Sequence, residues 1–172
     1  MRYFLIGFMG SGKSTLGRSL AKSMGMEFID LDRYLEQQQG RTIADVFALD
    51  GEPYFRALES KYLREVSQQD NIIVSCGGGT PCSDSNMEFM NSLGRTIYLK
   101  LEPDVLAERL ENGKFVRPLI ASMNSVQLLE YITTTLIQRE VYYNQATIIV
   151  ANPSRDVSQI VDILSYYTDK TH

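Results

Sequence analysis

Residues 7–14 constrain the fold of this chain more than any other segment. They read GFMGSGKS, which fits the phosphate-binding loop pattern G-x-x-x-x-G-K-[ST], and they directly follow the apolar run 3–6. Residues 14–21 then read as a helix. This order is what the motif requires, because glycines let backbone N–H groups face phosphate oxygens and the helix N-terminus adds positive charge. The alternative is a glycine-rich turn that matches by chance, which the strand–loop–helix context disfavours.

Two side chains of this loop have predicted roles of their own. Lys13 is expected to reach the terminal phosphates, and the Ser14 hydroxyl is expected to ligate Mg²⁺. The loop therefore predicts a site for a phosphorylated ligand with its metal ion.

The composition limits the classes of partner. The chain has 172 residues, which predicts a single domain, and it carries 17 basic and 21 acidic residues for a formal charge of −4. A net acidic chain exerts no long-range attraction on nucleic acid or anionic membranes, so neither is expected as a partner. We see neither a run long enough to span a membrane nor a secretory signal, and we predict a cytoplasmic protein. Cys76 and Cys82 are expected to be free thiols, and since the single histidine is His172, a mechanism that depends on a fixed imidazole is disfavoured.

Strand-like and helix-like segments alternate along the chain. This alternation predicts a three-layer α/β fold with a five-stranded, mainly parallel sheet flanked by helices. Since the strand-like runs lack polar alternation, we expect both faces of every strand to be buried. Residues 111–125 interrupt the helical periodicity and are predicted to form a mobile lid. The predicted strands are residues 3–6, 28–30, 71–75, 96–101 and 147–150.

In such a sheet, ligands bind beyond the carboxyl ends of the strands. Asp30 and Asp32 end the second predicted strand, where alternation would point both carboxylates to the same side. One could hold Mg²⁺ through water, and the other could accept or orient a hydroxyl proton. The alternative is that Asp32 only caps a following helix over residues 33–39.

Three consecutive glycines, Gly77, Gly78 and Gly79, follow the third predicted strand. Such a run is unfavourable for ordered structure unless something must approach the backbone closely, so we predict a substrate-binding surface rather than a tight turn. Arg56, Arg117 and Arg139 are candidate anion clamps, because guanidinium pairs bidentately with carboxylate and phosphate. An arginine taken alone is more often a solvated surface residue, and sequence spacing does not show that the three converge.

Together these segments resemble the shikimate kinase family. The resemblance rests on the phosphate loop, the acidic pair 30–32, GRTIADVF at 40–47, GEPYFR at 51–56, the three glycines, RPL at 117–119, and Arg139. It runs in order over nearly the whole chain. The stretch 40–59 is the most specific part, since many nucleotide-binding families share the phosphate loop.

The resemblance implies a P-loop kinase fold of the nucleoside-monophosphate-kinase type and transfer of the ATP γ-phosphoryl group to the 3-hydroxyl of shikimate. Asp32 would bind the reacting hydroxyl, and Lys13 and Arg117 would offset developing charge. Ser14 and Asp30 would organise Mg²⁺. The residues implied for ATP are Gly10, Ser11, Gly12, Lys13, Ser14, Thr15, Arg109, Arg117 and Arg155, and those implied for shikimate are Asp32, Arg56, Gly77, Gly78, Gly79 and Arg139.

Other functions remain alternatives at this stage. They are another small-molecule kinase, such as a gluconate or nucleotide kinase, a non-catalytic regulatory relative, and a generic NTP-driven switch. Lys13, Asp30, Asp32 and Arg117 are all present, which favours an active enzyme. A monomer is expected from the resemblance and from the lack of an obvious coiled coil or long exposed apolar stripe.

Overall fold

A computed structural model describes residues 1–83, 85–113, 120–153 and 157–169. Its strands form one five-stranded sheet in the order β2-β3-β1-β4-β5, and every neighbouring pair is parallel. The predicted architecture is therefore confirmed, with each strand within two residues of its predicted bounds. The strands are β1 Arg2–Ile6, β2 Glu27–Asp30, β3 Ile72–Ser75, β4 Arg95–Lys100 and β5 Ile148–Ala151.

The helices cover both faces of the sheet. Alternate residues of the central strand face opposite layers, as a pleated strand requires: Phe4 and Ile6 pack in one core cluster, and Tyr3 and Leu5 in the other. All four are fully buried, because β1 has strands on both sides and helices above and below. The helices are α1 Lys13–Met24, α2 Leu31–Gln39, α3 Ile43–Val66, α4 Asn86–Leu93, α5 Pro103–Glu111, α6 Ser125–Tyr143 and α7 Ser158–Asp169.

Helix α3 is broken at Gly51. A capping box of Thr42 and Asp45 starts it, as the sequence predicts. Gly51 then has φ 80° and ψ 171°, a conformation that glycine adopts at low cost, and Pro53 follows within the next turn. The break starts a second helical segment, which carries Arg56.

Three sequence-based expectations about the elements need correction. Neither edge strand is buried on both faces, because an edge strand has cover on fewer sides: Ile149 of β5 is 46% exposed, and Phe28 of β2 is only partly buried. Helix α4 was not predicted, since it is short and begins after polar residues. The helix after β2 begins at Leu31, before the predicted residue 33, and its N-cap is Asp30 rather than Asp32.

The outer face of α6 carries an apolar stripe that the sequence reasoning missed. Leu129, Ile137 and Val141 are spaced along one side of the helix, and all three are exposed, as is Val126 at its start. One of the two grounds for expecting a monomer is therefore wrong.

Residues 114–119, which include Arg117, lie outside the described residues, as does Arg155. None of the helices in the described part of the chain is long and apolar enough to cross a membrane.

Candidate active site

The phosphate loop joins β1 to α1 at the carboxyl edge of the sheet. Gly12 immediately precedes α1 and has φ 96°, which the missing side chain permits. Lys13, the first helical residue, is only 9% exposed, and its Nζ donates to the carbonyl oxygens of Gly7 at 2.8 Å and Phe8 at 2.9 Å. The ammonium group is thus held over the loop where the phosphate pattern places it.

Two adjoining clefts share this loop. One, of about 750 Å³, lies between the loop and α5 and is also lined by Pro153, which follows β5. The other, of about 540 Å³, runs from the loop to Asp30, Asp32 and the glycine loop, defined as residues 77–79. Arg109 lines both clefts and donates to the Ser11 carbonyl oxygen at 3.4 Å. The predicted residues Gly10, Gly12 and Thr15 also line both.

Ser14, Asp30 and Ser75 form a cluster of oxygen donors. The parallel register places Asp30 beside Ser75, and the Ser14 hydroxyl donates to Asp30 Oδ2 at 2.7 Å and lies 3.3 Å from Ser75 Oγ. Among the described residues, no three His, Cys, Asp or Glu side chains gather around a possible metal position. Mg²⁺ prefers oxygen ligands and keeps several waters and substrate phosphates, so a hydroxyl and one carboxylate beside a phosphate loop fit it.

Asp32 lies in the first turn of α2 rather than in an extended strand. The capping interaction belongs to Asp30, whose Oδ1 accepts from the Arg33 N–H at 3.4 Å, so the cap-only alternative for Asp32 is wrong. The alternation argument for the pair is also wrong, because the helix begins between them. Both carboxylates nevertheless line the same cleft, since a strand end and the next helical turn lie close together.

The three glycines are required by charged groups that lie against them. A Cβ built on Gly77 would lie 2.6 Å from Glu59 Oε1 and 3.0 Å from Asp32 Oδ1. One built on Gly78 would lie 2.9 Å from Arg139 Nη1, and one on Gly79 would lie 2.6 Å from Arg56 Cζ. Real Cβ atoms do not approach other atoms so closely, so each glycine makes room for a charged side chain. The tight-turn alternative does not account for these approaches.

The glycine loop gathers Arg56 and Arg139, which the sequence could not show to converge. Neither arginine lines the two clefts, but Arg56 lies against Gly79 and Arg139 against Gly78. The Arg139 guanidinium also lies over the ring of Phe8 in the phosphate loop, with Cζ 5.5 Å from the ring centroid. Arg139 thereby links the two loops that the sequence assigns to different substrates.

Glu59 belongs to the site, although the sequence reasoning did not single it out. Its side chain is 1% exposed, Oε2 accepts from Arg56 Nη1 at 2.8 Å, and Oε1 accepts from the Thr80 hydroxyl. Burial alone would lower the pKa of Arg56, but Glu59 and the more exposed Glu52 raise it above its usual value. The signal for Glu59 is its i+3 spacing from Arg56 on a helix, which brings two side chains together.

Cys76 lies in the same region without the chemistry of a nucleophile. Burial raises the pKa of its thiol, and the nearby Glu59 carboxylate adds to the effect. The thiol therefore stays protonated, whereas the thiolate is the nucleophilic form. Cys76 and Cys82 are both free, as predicted.

Comparison with known proteins agrees with this geometry. A family model described as shikimate kinase matches residues 9–166. The chain is 42% identical to a shikimate kinase from Azobacteroides pseudotrichonymphae over 164 residues, which cover 95% of this chain and 96% of that one. The chain belongs to the shikimate kinase family.

Solved structures extend the match to three dimensions. A shikimate kinase crystal structure from Bacteroides thetaiotaomicron superposes with a TM-score of 0.91 at 38% identity, covering 98% of both chains. A shikimate kinase from Acinetobacter baumannii, solved in complex with shikimate, gives a TM-score of 0.83 at 29% identity and covers 99% of this chain and 95% of that one. As a member of the shikimate kinase family, the chain is an ATP-dependent kinase, and the P-loop kinase fold predicted from its sequence is confirmed.

For a shikimate kinase, the crowding at the glycine loop predicts a binding defect in Gly79→Ala. The new Cβ would displace the Arg56 guanidinium, because it would lie 2.6 Å from Arg56 Cζ, and this would disturb the ion pair of Arg56 with Glu59. We expect the KM for shikimate to rise about tenfold, the cost of one weakened charged hydrogen bond. Steady-state kinetics with ATP at saturation measures this.

The control is Gly40→Ala at the C-cap of α2. Gly40 has a positive φ, 64°, whereas Gly79 has φ −92°, and nothing lies within 4 Å of the Cβ added to Gly40. This variant should melt at a lower temperature and keep its KM for shikimate. An unchanged KM in Gly79→Ala would show that displacing the Arg56 guanidinium does not affect shikimate binding.

Proposed function

We propose that this protein transfers the γ-phosphoryl group of ATP to the 3-hydroxyl of shikimate, giving shikimate 3-phosphate and ADP on the route to chorismate. One observation carries the proposal beyond the family match. The carboxyl edge of a single sheet brings together a phosphate loop, a carboxylate at Asp32, and a glycine loop flanked by two arginines. These are the groups needed for a phosphate donor, a hydroxyl acceptor and a carboxylate on that acceptor.

On the donor side, the chain positions the triphosphate and offsets its charge. Phosphoryl transfer has a loose transition state, so catalysis consists mainly of positioning and electrostatic stabilisation. Lys13, at the start of α1, would contact the terminal phosphates together with the backbone of residues 10–15. Arg109 supports the same loop through the Ser11 carbonyl oxygen. Arg117 and Arg155 stay predictions from the family resemblance.

The metal ion belongs to this side as well. We propose that Ser14 and Asp30 hold Mg²⁺, Ser14 directly and Asp30 directly or through water. When bound, the ion would supply positive charge that offsets the negative charge of the transferring phosphoryl group. The absence of a carboxylate at Ser75 leaves Asp30 as the acidic group in contact with the Ser14 hydroxyl.

On the acceptor side, Asp32 would bind the hydroxyl that attacks the phosphorus atom. It is half-buried and faces the same cleft as Lys13. Arg56, with its charge held by Glu59, and Arg139 would bind the shikimate carboxylate across the glycine loop. A gluconate-type polyol has a carboxylate as well, but the family match favours shikimate. We further propose that the chain is a single cytoplasmic domain, with its lid at about 111–125, and that it functions as a monomer.

The test is ADP release from ATP and Mg²⁺, with and without shikimate. Strong dependence on shikimate supports the proposal, and gluconate is the control acceptor. ATP turnover that is equal with and without shikimate would overturn it in favour of an NTPase or another acceptor. Retained ATP binding without turnover would revive the regulatory alternative.

Arg139→Ala should weaken recognition of the acceptor carboxylate. We expect the KM for shikimate to rise about 10- to 100-fold with the KM for ATP nearly unchanged, because a charged hydrogen bond contributes about 1.5–3 kcal/mol. The methyl ester of shikimate sharpens the test. The wild type should have a high KM for the ester. Arg139→Ala should raise the KM for the ester little further.

Arg2→Ala is the matched control for loss of an arginine. Arg2 pairs with Asp70 at 2.9 Å at the start of β1, the opposite edge of the sheet from the site. The KM values of Arg2→Ala for shikimate and for ATP should stay at the wild-type level. The carboxylate assignment is wrong if Arg139→Ala raises the KM of the ester as much as that of shikimate.

A further inference from the structure

Tyr143, the last residue of α6, is fully buried and contacts the glycine loop. Its hydroxyl donates to the Gly78 carbonyl oxygen at 2.5 Å, a bond between residues 65 positions apart in the chain. Gly78 lies three residues beyond the end of β3, so this bond ties the glycine loop to the end of α6.

The same hydroxyl also lies beside Arg139. Tyr143 comes four residues after Arg139, which places both on one face of α6. Arg139 Nη1 is the atom that a Cβ on Gly78 would meet at 2.9 Å, so the guanidinium lies against the residue whose carbonyl oxygen Tyr143 holds. Gly78 therefore has the Tyr143 hydroxyl on its carbonyl oxygen and the Arg139 guanidinium beside its Cα.

The Tyr143 hydroxyl stays protonated and can always donate a hydrogen bond, and packing holds the Tyr143 ring in place. Burial raises the pKa of Tyr143 well above its usual value, and Arg139 only partly opposes the rise, so the proton stays on at any working pH. The ring packs on Tyr98 with centroids 5.0 Å apart. The Tyr98 hydroxyl is not part of this ring contact, since it donates to Glu140 Oε1 at 3.0 Å. Packing against Tyr98, rather than a bound substrate, therefore restricts rotation of the Tyr143 ring.

We propose that Tyr143 is a positioning residue for the acceptor, which fixes the Gly78 backbone and the Arg139 guanidinium relative to each other. It acts through these two groups and is not itself a catalytic residue. The inference rests on the proposed function, because it assigns Gly78 and Arg139 to the bound shikimate. A device that only holds binding groups in place lowers KM without accelerating the chemical step.

The experiment compares Tyr143→Phe with Tyr98→Phe. Each substitution removes one hydroxyl from a buried tyrosine and keeps the ring, but only Tyr143 contacts the glycine loop. Both variants should fold and melt at similarly reduced temperatures. Tyr143→Phe should raise the KM for shikimate about tenfold, the loss expected for one buried hydrogen bond, with kcat and the KM for ATP within about twofold. Tyr98→Phe should change none of the three constants by more than about twofold.

Amide hydrogen exchange of the peptide that contains residues 77–79 gives a second readout. It should accelerate in Tyr143→Phe and not in Tyr98→Phe, because only the first variant releases the Gly78 carbonyl. An unchanged KM for shikimate in Tyr143→Phe overturns the inference, and so does an equal rise in Tyr98→Phe, which would indicate general loosening of the core.

These outcomes separate the inference from the proposed function. If wild-type protein does not phosphorylate shikimate, the proposed function fails. The exchange measurement then decides the positioning of the glycine loop alone: selective acceleration in Tyr143→Phe supports it, and equal exchange in the two variants overturns it.

Discussion

The Lys13→Met enzyme is expected to turn over about a thousandfold more slowly than the wild type, the cost of removing one preorganised charged donor from a transition state. Methionine keeps the length of the side chain but removes the ammonium group that the Gly7 and Phe8 carbonyl oxygens hold in the loop. Since Lys13 is almost fully buried, no nearby solvent cation can replace it. The measurement is kcat in the coupled ADP assay, alongside ATP affinity from equilibrium binding.

Lys22→Met is the matched control for this substitution. Lys22 lies in the last turn of the same helix and is exposed. It should keep full activity. Near-wild-type kcat in a folded Lys13→Met protein would remove Lys13 from the essential set, whereas a lower melting temperature alone would reflect the two carbonyl groups that lose their donor.

Asp32→Asn should lower kcat about a thousandfold if Asp32 takes the proton of the attacking hydroxyl, within the range of general base catalysis. Asparagine is nearly isosteric and its oxygen can still accept a hydrogen bond, but it cannot take the proton. The fold should persist, because the helix cap is provided by Asp30 and not by Asp32. The measurement is kcat for shikimate phosphorylation, with the KM for shikimate as the second constant.

Asp104→Asn controls for the lost charge. Asp104 also lies in the first turn of a helix, α5, so both substitutions remove a negative charge from a helix N-terminus. Only Asp32→Asn should lose turnover. A loss of about tenfold or less would assign Asp32 the task of orienting the hydroxyl, and an unchanged kcat would remove it from the catalytic set.

Much of the fold could be predicted because its determinants are local. The phosphate loop requires a strand before it and a helix after it, and residues 3–6 and 14–21 have those patterns within a few positions. The capping box at Thr42 and Asp45 is likewise a short-range signal. The buried strands stand out as apolar runs, but β5 was misjudged because an edge position depends on the strand order, which no local pattern encodes.

The sequence predicted which residue types form the candidate site, but it did not predict which of these residues contact each other. Two carboxylates at a strand end and three glycines after another strand indicated chemistry, although the reason given for the acidic pair was wrong. The helix begins at Leu31, so Asp30 and Asp32 meet through a turn of helix rather than through strand alternation. The exposed stripe of Leu129, Ile137 and Val141 was missed for a related reason, because which face of α6 meets the core depends on how that helix packs.

By itself, the sequence determined the phosphate loop, the parallel α/β architecture and the residue types of both substrate sites, since each follows from short patterns and backbone preferences. The tertiary structure alone decided how these residues combine. Arg56 and Arg139 lie 83 positions apart, yet adjacent glycines bring them to one loop, where Arg56 donates to Glu59 and Tyr143 donates to Gly78. Such contacts form only when α3 and α6 pack against the same end of the sheet, because burial and chain topology, rather than sequence spacing, set which distant side chains meet.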